Sequence, residues 1–241
     1  MIMPVAILSG GLATRMRPMT ETIPKALLPV AGLPFAHYQL AQLARQGVKK
    51  VVICVGYLGE MIEADLGDGS RFNIEVLYSH DGNKLVGTGG ALKKAINLLG
   101  DEFFVLYGDS FLPIDFSAVQ AKFKQDNKPA LMTIFQNQGQ WDSSNVEFEN
   151  GNLIEYNKKQ PNSRMNYIDY GLSVITSQTL QNPEWGDFFD LSLVFHSLSR
   201  QSQLAGLEVF ERFYEIGSPS GLADLEGFIR DNSEIRPTTL R

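Results

Sequence analysis

The chain has 241 residues, a formal net charge of −6 and 44% hydrophobic residues. This composition is typical of a folded α/β protein with a sizeable core, and the acidic balance argues against a nucleic-acid partner, which would need a basic surface. The single cysteine, Cys54, excludes an internal disulfide and lies in an apolar run typical of a packed strand. No apolar stretch approaches the roughly 18 residues of a membrane span, and the first residues do not resemble a signal peptide. We therefore expect no membrane association and a cytoplasmic protein.

The first half of the chain alternates predicted strands and helices. The apolar run 4–8 predicts a buried strand, because it is too short for a helix. The patterns after it predict a helix beginning at Leu33-Pro34, strands over 50–55, 73–78 and 103–107, a short helix ending near 67–69, a loop over 79–90 that opens onto a helix, and a helix through 116–123. Alternation at this spacing indicates βαβ units and a mostly parallel sheet with helices on both faces.

The second half is richer in strands. Its patterns predict strands over 130–135, 145–149, 152–156, 167–176 and 204–210, a hairpin turn at 150–151, and helices with apolar stripes over 191–198 and 222–229. We interpret this half as closing the same sheet or covering its far edge. The predicted fold is therefore a single α/β domain over residues 1–241, Rossmann-like, with a β-rich second half.

The loop after the first strand has the composition of an anion-binding site. Gly10-Gly11 ends the strand, and backbone N–H groups beside glycines can approach a ligand that side chains would keep away. Arg15, Arg17 and Lys25 follow within the same loop. A Gly-Gly pair alone is usually a turn and a lone surface arginine is usually solvated, so the combination carries the inference. We expect this loop to bind a polyphosphate.

A carboxylate is expected opposite this loop. Asp109 directly follows the end of the strand over 103–107, beside Gly108. Ligands of such sheets bind off the carboxyl ends of the strands, so Gly10-Gly11 and Gly108-Asp109 should meet in space. A carboxylate there is well placed to hold Mg²⁺ against phosphates, because Mg²⁺ prefers hard oxygen ligands.

The stretch from Leu8 to Val30 resembles the signature of the sugar-1-phosphate nucleotidyltransferases. The matching positions are Gly10, Gly11, Arg15, Pro18, Thr20, Pro24, Lys25, Leu27, Pro29 and Val30. The resemblance implies a GT-A-like nucleotidyltransferase fold, with a nucleotide-binding half over 1–110 and a sugar-phosphate-binding half over 111–241. It also implies an enzyme that transfers a nucleotidyl group from an NTP to a sugar 1-phosphate and releases pyrophosphate.

The resemblance implies roles for individual residues. Arg15 would grip the β- and γ-phosphates, Lys25 would bridge the α-phosphate and the incoming sugar phosphate, and Asp109 would hold Mg²⁺. The second metal ligand of the family is an aspartate in a D-x-G-T-P-like motif, and Glu215 occupies that position here. The nucleotide-binding residues implied are Leu8, Ser9, Gly10, Gly11, Arg15, Gly87, Thr88 and Gly89.

The predicted sugar site departs from the family pattern. The family places Glu-Lys-Pro after a strand, and here we assign the lysine to Lys159, with Lys158 in place of the acid. Asp169, Tyr170 and Gly171 match the family segment on the next strand and complete the predicted sugar pocket. These departures leave the identity of the sugar open.

The stretch VGTGGALKKA and the compact length resemble guanylyltransferases acting on mannose- or heptose-1-phosphate. Thymidylyl-, uridylyl- and cytidylyltransferases remain alternatives, and homo-oligomerisation is left open. A glycosyltransferase would usually show an Asp-x-Asp pair, whereas Gly108-Asp109-Ser110 has one acid. A non-catalytic regulatory subunit would be expected to lack Arg15, Lys25 or Asp109, and all three are present.

Overall fold

The computed structural model describes residues 1–82, 84–141 and 143–237. The strands are β1 Val5–Ser9, β2 Pro29–Val30, β3 Leu33–Pro34, β4 Lys50–Val55, β5 Glu75–His80, β6 Glu102–Tyr107, β7 Ser110–Phe111, β8 Ala130–Gln136, β9 Val146–Glu149, β10 Asn152–Tyr156, β11 Tyr167–Thr176, β12 Leu204–Val209 and β13 Tyr214–Glu215. The α-helices are α1 Phe35–Arg45, α2 Gly59–Leu66, α3 Gly87–Leu99, α4 Phe116–Asp126, α5 Ser177–Leu180, α6 Leu191–Arg200 and α7 Pro219–Asp231. Short 3₁₀ turns lie at Thr14–Met16, Met19–Glu21, Lys25–Leu27, Ser70–Phe72, Pro183–Trp185 and Ser233–Ile235.

Nine strands of the described residues form one central sheet. Its main order is β10-β9-β11-β6-β1-β4-β5, with β8 beside β11 and β12 beside β8. The strands β6, β1, β4 and β5 are parallel, whereas β11 runs antiparallel to β6 and begins the strand-rich half. The predicted α/β class, with a parallel first half and a second half that extends the same sheet, is confirmed.

Helices cover both faces of the sheet. In β1, Val5 and Ile7 pack into a core with α1, α2 and α4, while Ala6 packs into a second core with α3 and α6. All three side chains are almost fully buried. A strand that is buried on both faces has a continuous apolar sequence, which explains the apolar run at β1.

A third apolar cluster holds the loop after β1 against the C-terminal helix. Met16 from that loop packs with Phe35 at the start of α1, Phe111 of β7, Ile216 and Leu225 of α7. This cluster fixes the segment that carries Arg15 and Lys25 near the carboxyl ends of the parallel strands.

Three predicted boundaries differ from the structure. The helix predicted from Leu33-Pro34 begins at Phe35, because these two residues pair with β2 as β3. The strand predicted over 73–78 lies at Glu75–His80, since Asn73 adopts a left-handed conformation at the end of a 3₁₀ turn. The loop predicted over 79–90 is correspondingly shorter, because α3 begins at Gly87.

Candidate active site

A cavity of about 240 Å³ opens at the carboxyl ends of the parallel strands. Lys25 and Asp109 line it together with part of the predicted nucleotide-binding set, namely Leu8, Ser9, Gly10, Gly11, Gly87 and Thr88. The two segments that the sequence places at neighbouring strand ends therefore meet in one cavity.

The turn after β6 lies directly against the end of β1. The N–H of Gly108 donates a hydrogen bond to the carbonyl of Leu8 at 2.9 Å. A Cβ at position 108 would lie 2.1 Å from Oγ of Ser9, so only glycine allows this approach. The close contact holds Asp109 beside the glycine loop.

Lys25 and Asp109 form an ion pair inside the cavity. The distance from Lys25 Nζ to Asp109 Oδ2 is 2.9 Å, and the two side chains are only 16% and 25% exposed. Lys25 begins a 3₁₀ turn that is closed by a hydrogen bond from the Leu27 N–H to the Pro24 carbonyl. The turn presents the ammonium group towards the strand end that carries Asp109.

Three glutamines in and directly after α1 hold the segment around Asp109, and two of them, Gln39 and Gln42, are buried. Gln39 donates from Nε2 to the carbonyls of residues 107 and 110, at 2.9 and 2.8 Å. Gln42 donates to the carbonyl of residue 112, and Gln46 to that of Ile114 at 3.0 Å. Backbone carbonyls outside a sheet ladder need such partners when they are buried. The predicted apolar stripe of α1 did not include these residues.

The second predicted metal ligand lies next to the first. Glu215 pairs with Ser110 across β13 and β7, and the N–H of Ile216 donates to the carbonyl of Asp109 at 3.0 Å. Among the described residues, no group of three or more His, Cys, Asp or Glu side chains could hold a metal ion. Two neighbouring carboxylates are nevertheless a donor set that fits Mg²⁺, which takes one or two protein carboxylates together with substrate phosphates and water.

Arg15 lies beside Glu215 and is not among the cavity-lining residues. Its Nη2 and the Oε1 of Glu215 are each 3.3 Å from the point that a Cβ would occupy at Gly217. The side chain is exposed. Arg15 and Asp109 are therefore on the same side of the molecule, with Glu215 next to both.

Two of the predicted nucleotide-binding residues have structural partners. The hydroxyl of Thr88 accepts a hydrogen bond from the Leu191 N–H at 2.8 Å, and the Gly89 N–H donates to the Phe189 carbonyl at 3.0 Å. These bonds join the start of α3 to the start of α6. Gly89 does not line the cavity and packs between the two helices, so its contact with the nucleotide stays a prediction.

Substituting Gly89 by alanine is expected to destabilise the fold by about 1–3 kcal/mol, because overpacking forces neighbouring groups to move. A Cβ at this position would lie 2.2 Å from Cε2 of Phe189, whose ring is 3% exposed. The matched control is Gly227→Ala in α7, where a Cβ would meet nothing within 4 Å and alanine should stabilise the helix slightly. Urea denaturation measures the free energy of unfolding of both variants. Equal stability of the two would contradict a packing role for Gly89.

The predicted sugar residues Asp169 and Tyr170 point to opposite faces of β11. Tyr170 is 2% exposed and packs on the rings of Phe135 and Phe213, away from the cavity. The carboxylate of Asp169 accepts a hydrogen bond from the Gly171 N–H at 3.0 Å. Burial raises the pKa of Tyr107, a cavity-lining residue, and the negative charge of Asp169 raises it further. Asp169 therefore lies near the cavity-lining Tyr107, whereas the ring of Tyr170 packs in the core, and contact of either residue with a sugar stays a prediction.

Lys158, which precedes the predicted sugar-site residue Lys159, influences the ionisation of two nearby aspartates. Burial raises the pKa of Asp169, and the charge of Lys158 opposes that shift. In Asp190, hydrogen bonds from the Ser192 hydroxyl and N–H, together with Lys158, outweigh burial and lower the pKa. The charge of Lys158 therefore acts on both aspartates, and the assignment of Lys159 to the sugar site stays a prediction.

The buried carboxyl group of Asp169 predicts a pH-dependent stability. Burial raises the pKa of Asp169 to about 6. The folded protein then binds more protons than the unfolded chain between about pH 4 and 6, so this residue's contribution is lost as the pH rises through that window. Asp169→Asn is expected to be more stable than wild type by on the order of 2 kcal/mol at pH 8, with no difference at pH 4. Urea denaturation at pH values from 4 to 8 measures this stability difference, with Asp101→Asn at an exposed position as the control. A difference between Asp169→Asn and wild type that does not change with pH would contradict the prediction.

The family model described as "Nucleotidyl transferase" matches residues 5–172. The chain belongs to this family. It is 41% identical over 117 residues to N-acetylmuramate alpha-1-phosphate uridylyltransferase of Neisseria meningitidis serogroup B, covering 48% of this chain and 51% of the relative. It is 36% identical over 118 residues to D-glycero-alpha-D-manno-heptose 1-phosphate guanylyltransferase of Campylobacter jejuni, covering 49% and 52%. The matches thus span about half the length of these curated relatives.

A solved structure of low sequence identity shares this fold. The structure of HddC from Yersinia pseudotuberculosis superposes with a TM-score of 0.80 at 21% identity, covering 95% of this chain and all of that one. No helix among the described residues has the length and apolar character needed to cross a bilayer.

Proposed function

We propose that the protein transfers a nucleotidyl group from a nucleoside triphosphate to a sugar 1-phosphate. A phosphate oxygen of the sugar phosphate attacks the α-phosphorus, the bond to the β-phosphate oxygen breaks, and an NDP-sugar and pyrophosphate are formed. The observation that carries the proposal is the pair of Lys25 and Asp109 facing Gly10-Gly11 in one cavity, because these are the groups that a triphosphate and its metal ion require.

The chain's own residues would act mainly by positioning and by neutralising charge. Backbone N–H groups around Gly10-Gly11 would hold the phosphates. Lys25 would exchange its contact with Asp109 for the α-phosphate, where negative charge accumulates during the transfer. Asp109 and Glu215 would hold Mg²⁺, which when bound neutralises phosphate charge.

The two halves of the chain would divide the substrates between them. All residues that line the cavity lie between Leu8 and Asp109, which supports the assignment of residues 1–110 to the nucleotide. The acceptor would then bind towards Asp169, whose charge raises the pKa of the cavity-lining Tyr107, and towards Lys158, whose charge opposes the raised pKa of Asp169. Carboxylates accept hydrogen bonds from sugar hydroxyls, and the ammonium group suits the phosphate.

The proposal is tested by mixing the protein with each of the common NTPs and a panel of sugar 1-phosphates while pyrophosphate release is measured. We expect release that requires both substrates and disappears when EDTA removes divalent cations. Replacing the sugar 1-phosphate by the free sugar is the matched control, since it lacks the attacking oxygen. A separate incubation with an NDP-sugar tests the alternative. Release of a nucleoside diphosphate there, without release of pyrophosphate from any NTP, would identify a glycosyltransferase.

A further inference from the structure

A single side-chain amide of α1 holds both ends of the turn that carries Asp109, residues 107–110, called the Asp109 turn below. The Nε2 of Gln39 donates to the carbonyls of Tyr107 and Ser110, at 2.9 and 2.8 Å, so both of its N–H groups are used. Gln39 is 2% exposed and is not among the described residues that line the cavity. The amide therefore holds the turn without lining the space in which substrates would bind.

The same helix is joined to the loop that carries Lys25. The Phe35 N–H, at the first residue of α1, donates to the Leu28 carbonyl at 3.0 Å. The Leu28 N–H in turn donates to the Lys25 carbonyl at 3.0 Å. Gln39 follows Phe35 by four residues, which is about 6 Å along the helix axis. One turn of α1 thus lies between the support of Lys25 and the support of Asp109, and it fixes the two groups relative to each other.

The Asp109 turn is also joined to the strand that carries Glu215. Ser110, whose carbonyl accepts from Gln39, lies opposite Glu215 in the β7–β13 pair. The Asp109 carbonyl accepts a hydrogen bond from the Ile216 N–H at 3.0 Å. The turn and β13 are therefore connected through backbone groups, and Gln39 anchors this unit to α1.

We propose that Gln39 is a positioning residue of the catalytic centre, which sets the direction of the Asp109 carboxylate towards the metal ion. The inference rests on the proposed function, because it takes Asp109 to be a metal ligand. Gln39 touches no reacting atom and acts only through the Asp109 turn. The sequence motifs that resemble the family do not include this residue.

A metal centre is sensitive to the position of its ligands. Mg²⁺ demands near-ideal octahedral geometry at about 2.0–2.1 Å from its oxygens, so a carboxylate that is displaced by a fraction of an ångström binds it less well. Without the Gln39 amide, the carbonyls of Tyr107 and Ser110 lose their donor, and the turn shifts towards other partners. Groups that orient a metal ligand without touching the metal are typically worth a factor of about 10 to 100 in metal affinity or activity. We expect Gln39 to fall in this range.

The first test measures metal binding without turnover. Mn²⁺ is titrated into the nucleotide-free protein and followed by electron paramagnetic resonance, so neither the base nor the sugar needs to be known. Gln39→Met keeps the length of the side chain but has no N–H donor, and its Kd for Mn²⁺ is expected to be about 10- to 100-fold higher than that of wild type. Gln39→Asn keeps an amide on a side chain too short to reach both carbonyls, and an intermediate Kd is expected. This variant decides the question if the methionine variant does not fold.

The matched control is Gln42→Met, three residues further along α1. Gln42 is also buried, at 7% exposed, and donates to the Leu112 carbonyl, which lies beyond the Asp109 turn. Both methionine variants remove a buried amide from the same helix, so a comparable decrease in Tm is expected for the two. A purely structural role of Gln39 would affect Mn²⁺ binding equally in both variants, whereas a positioning role weakens it in Gln39→Met alone.

Kinetics supply a second readout once a substrate pair is known. In the pyrophosphate assay, the Mg²⁺ concentration that gives the half-maximal rate is expected to rise in Gln39→Met by about the same factor as the Kd for Mn²⁺. The KM of the sugar 1-phosphate should stay unchanged, because the acceptor is not bound by the Asp109 turn.

The outcomes separate this inference from the proposed function. No binding of Mn²⁺ by wild type, a wild-type Kd in Gln39→Met or Gln39→Asn, or equal weakening in Gln39→Met and Gln42→Met overturns the positioning role. None of these results affects the pyrophosphate assay, which asks only whether any NTP reacts with a sugar 1-phosphate. Selective loss of Mn²⁺ binding in Gln39→Met without transfer by wild type would conversely uphold the role of Gln39 and reject the proposed reaction.

Discussion

Lys25→Met is expected to lower kcat by about 1,000-fold while the protein stays folded. Lys25 is the cation that the cavity holds next to Asp109, and removal of one preorganised charge-stabilising group from an active site typically costs a factor of 100 to 1,000. Methionine keeps the length and most of the volume of lysine. Because Asp109 keeps a quarter of its surface in contact with water, the loss of its partner should cost little stability. Steady-state pyrophosphate release measures kcat, and thermal unfolding reports the fold.

Two further variants make the result specific. Lys49→Met alters an exposed lysine far from the cavity and should leave kcat unchanged, which controls for the loss of one surface charge. Lys25→Arg keeps the charge but replaces a compact ammonium by a broad planar group, and an intermediate rate is expected. A near-normal rate for Lys25→Met would remove Lys25 from the reaction and leave its ion pair with Asp109 as a structural contact.

The main elements of the fold are predictable because their patterns are local. The apolar run of β1 and the alternation of strands with amphipathic helices specify a parallel sheet without reference to distant residues. The β7–β13 pair is different. Each strand has two residues, and Ser110 meets Glu215 only because the C-terminal segment packs on the apolar cluster around Phe111. No sequence window contains both partners, so local patterns do not predict the pairing, and only the family resemblance indicated that Glu215 lies near Asp109.

The residues of the site were predictable where a motif fixes the backbone. They were less predictable where the direction of a side chain decides whether the residue reaches the site. Gly10 and Asp109 lie where strand-end geometry requires. Tyr170 is adjacent to Asp169, but successive residues of a strand point to opposite faces, so the two side chains cannot both face the same site. Asp81 also lines the cavity, and it was missed because the predicted strand over 73–78 ends two residues before β5 does; with the strand extended to His80, the rule that selects Asp109 also selects Asp81.

The spacing of three glutamines in and directly after α1 is a pattern that was visible in the sequence. Gln39 and Gln42 in α1 and Gln46 directly after it recur at helical spacing. Side-chain amides at such a spacing indicate a neighbouring backbone segment whose carbonyl groups need hydrogen-bond donors. Here that backbone is the segment following β6, so the helix stabilises the position of Asp109 without contacting the cavity itself.

Asp109→Asn is expected to abolish the response to Mg²⁺ and to lower kcat by at least as much as Lys25→Met. Asp109 has two roles in the proposed reaction: it would hold the metal ion, and before the substrates bind it pairs with Lys25 at 2.9 Å. An asparagine keeps the shape but loses the charge that attracts Mg²⁺. Titration of Mn²⁺ into the protein with bound nucleotide, followed by electron paramagnetic resonance, reports metal binding separately from activity.

Substitutions of Glu215 distinguish a metal-binding role of this residue from a purely structural one. Glu215→Gln is expected to weaken Mn²⁺ binding, whereas Glu215→Asp keeps the charge and should restore it in part, since aspartate is what the family pattern has at this position. Both variants retain the backbone pairing of β13 with β7, because that pairing uses main-chain atoms. If glutamine and aspartate affected Mn²⁺ binding equally, the charge at this position would not matter, and Asp109 would be the sole protein carboxylate on the metal.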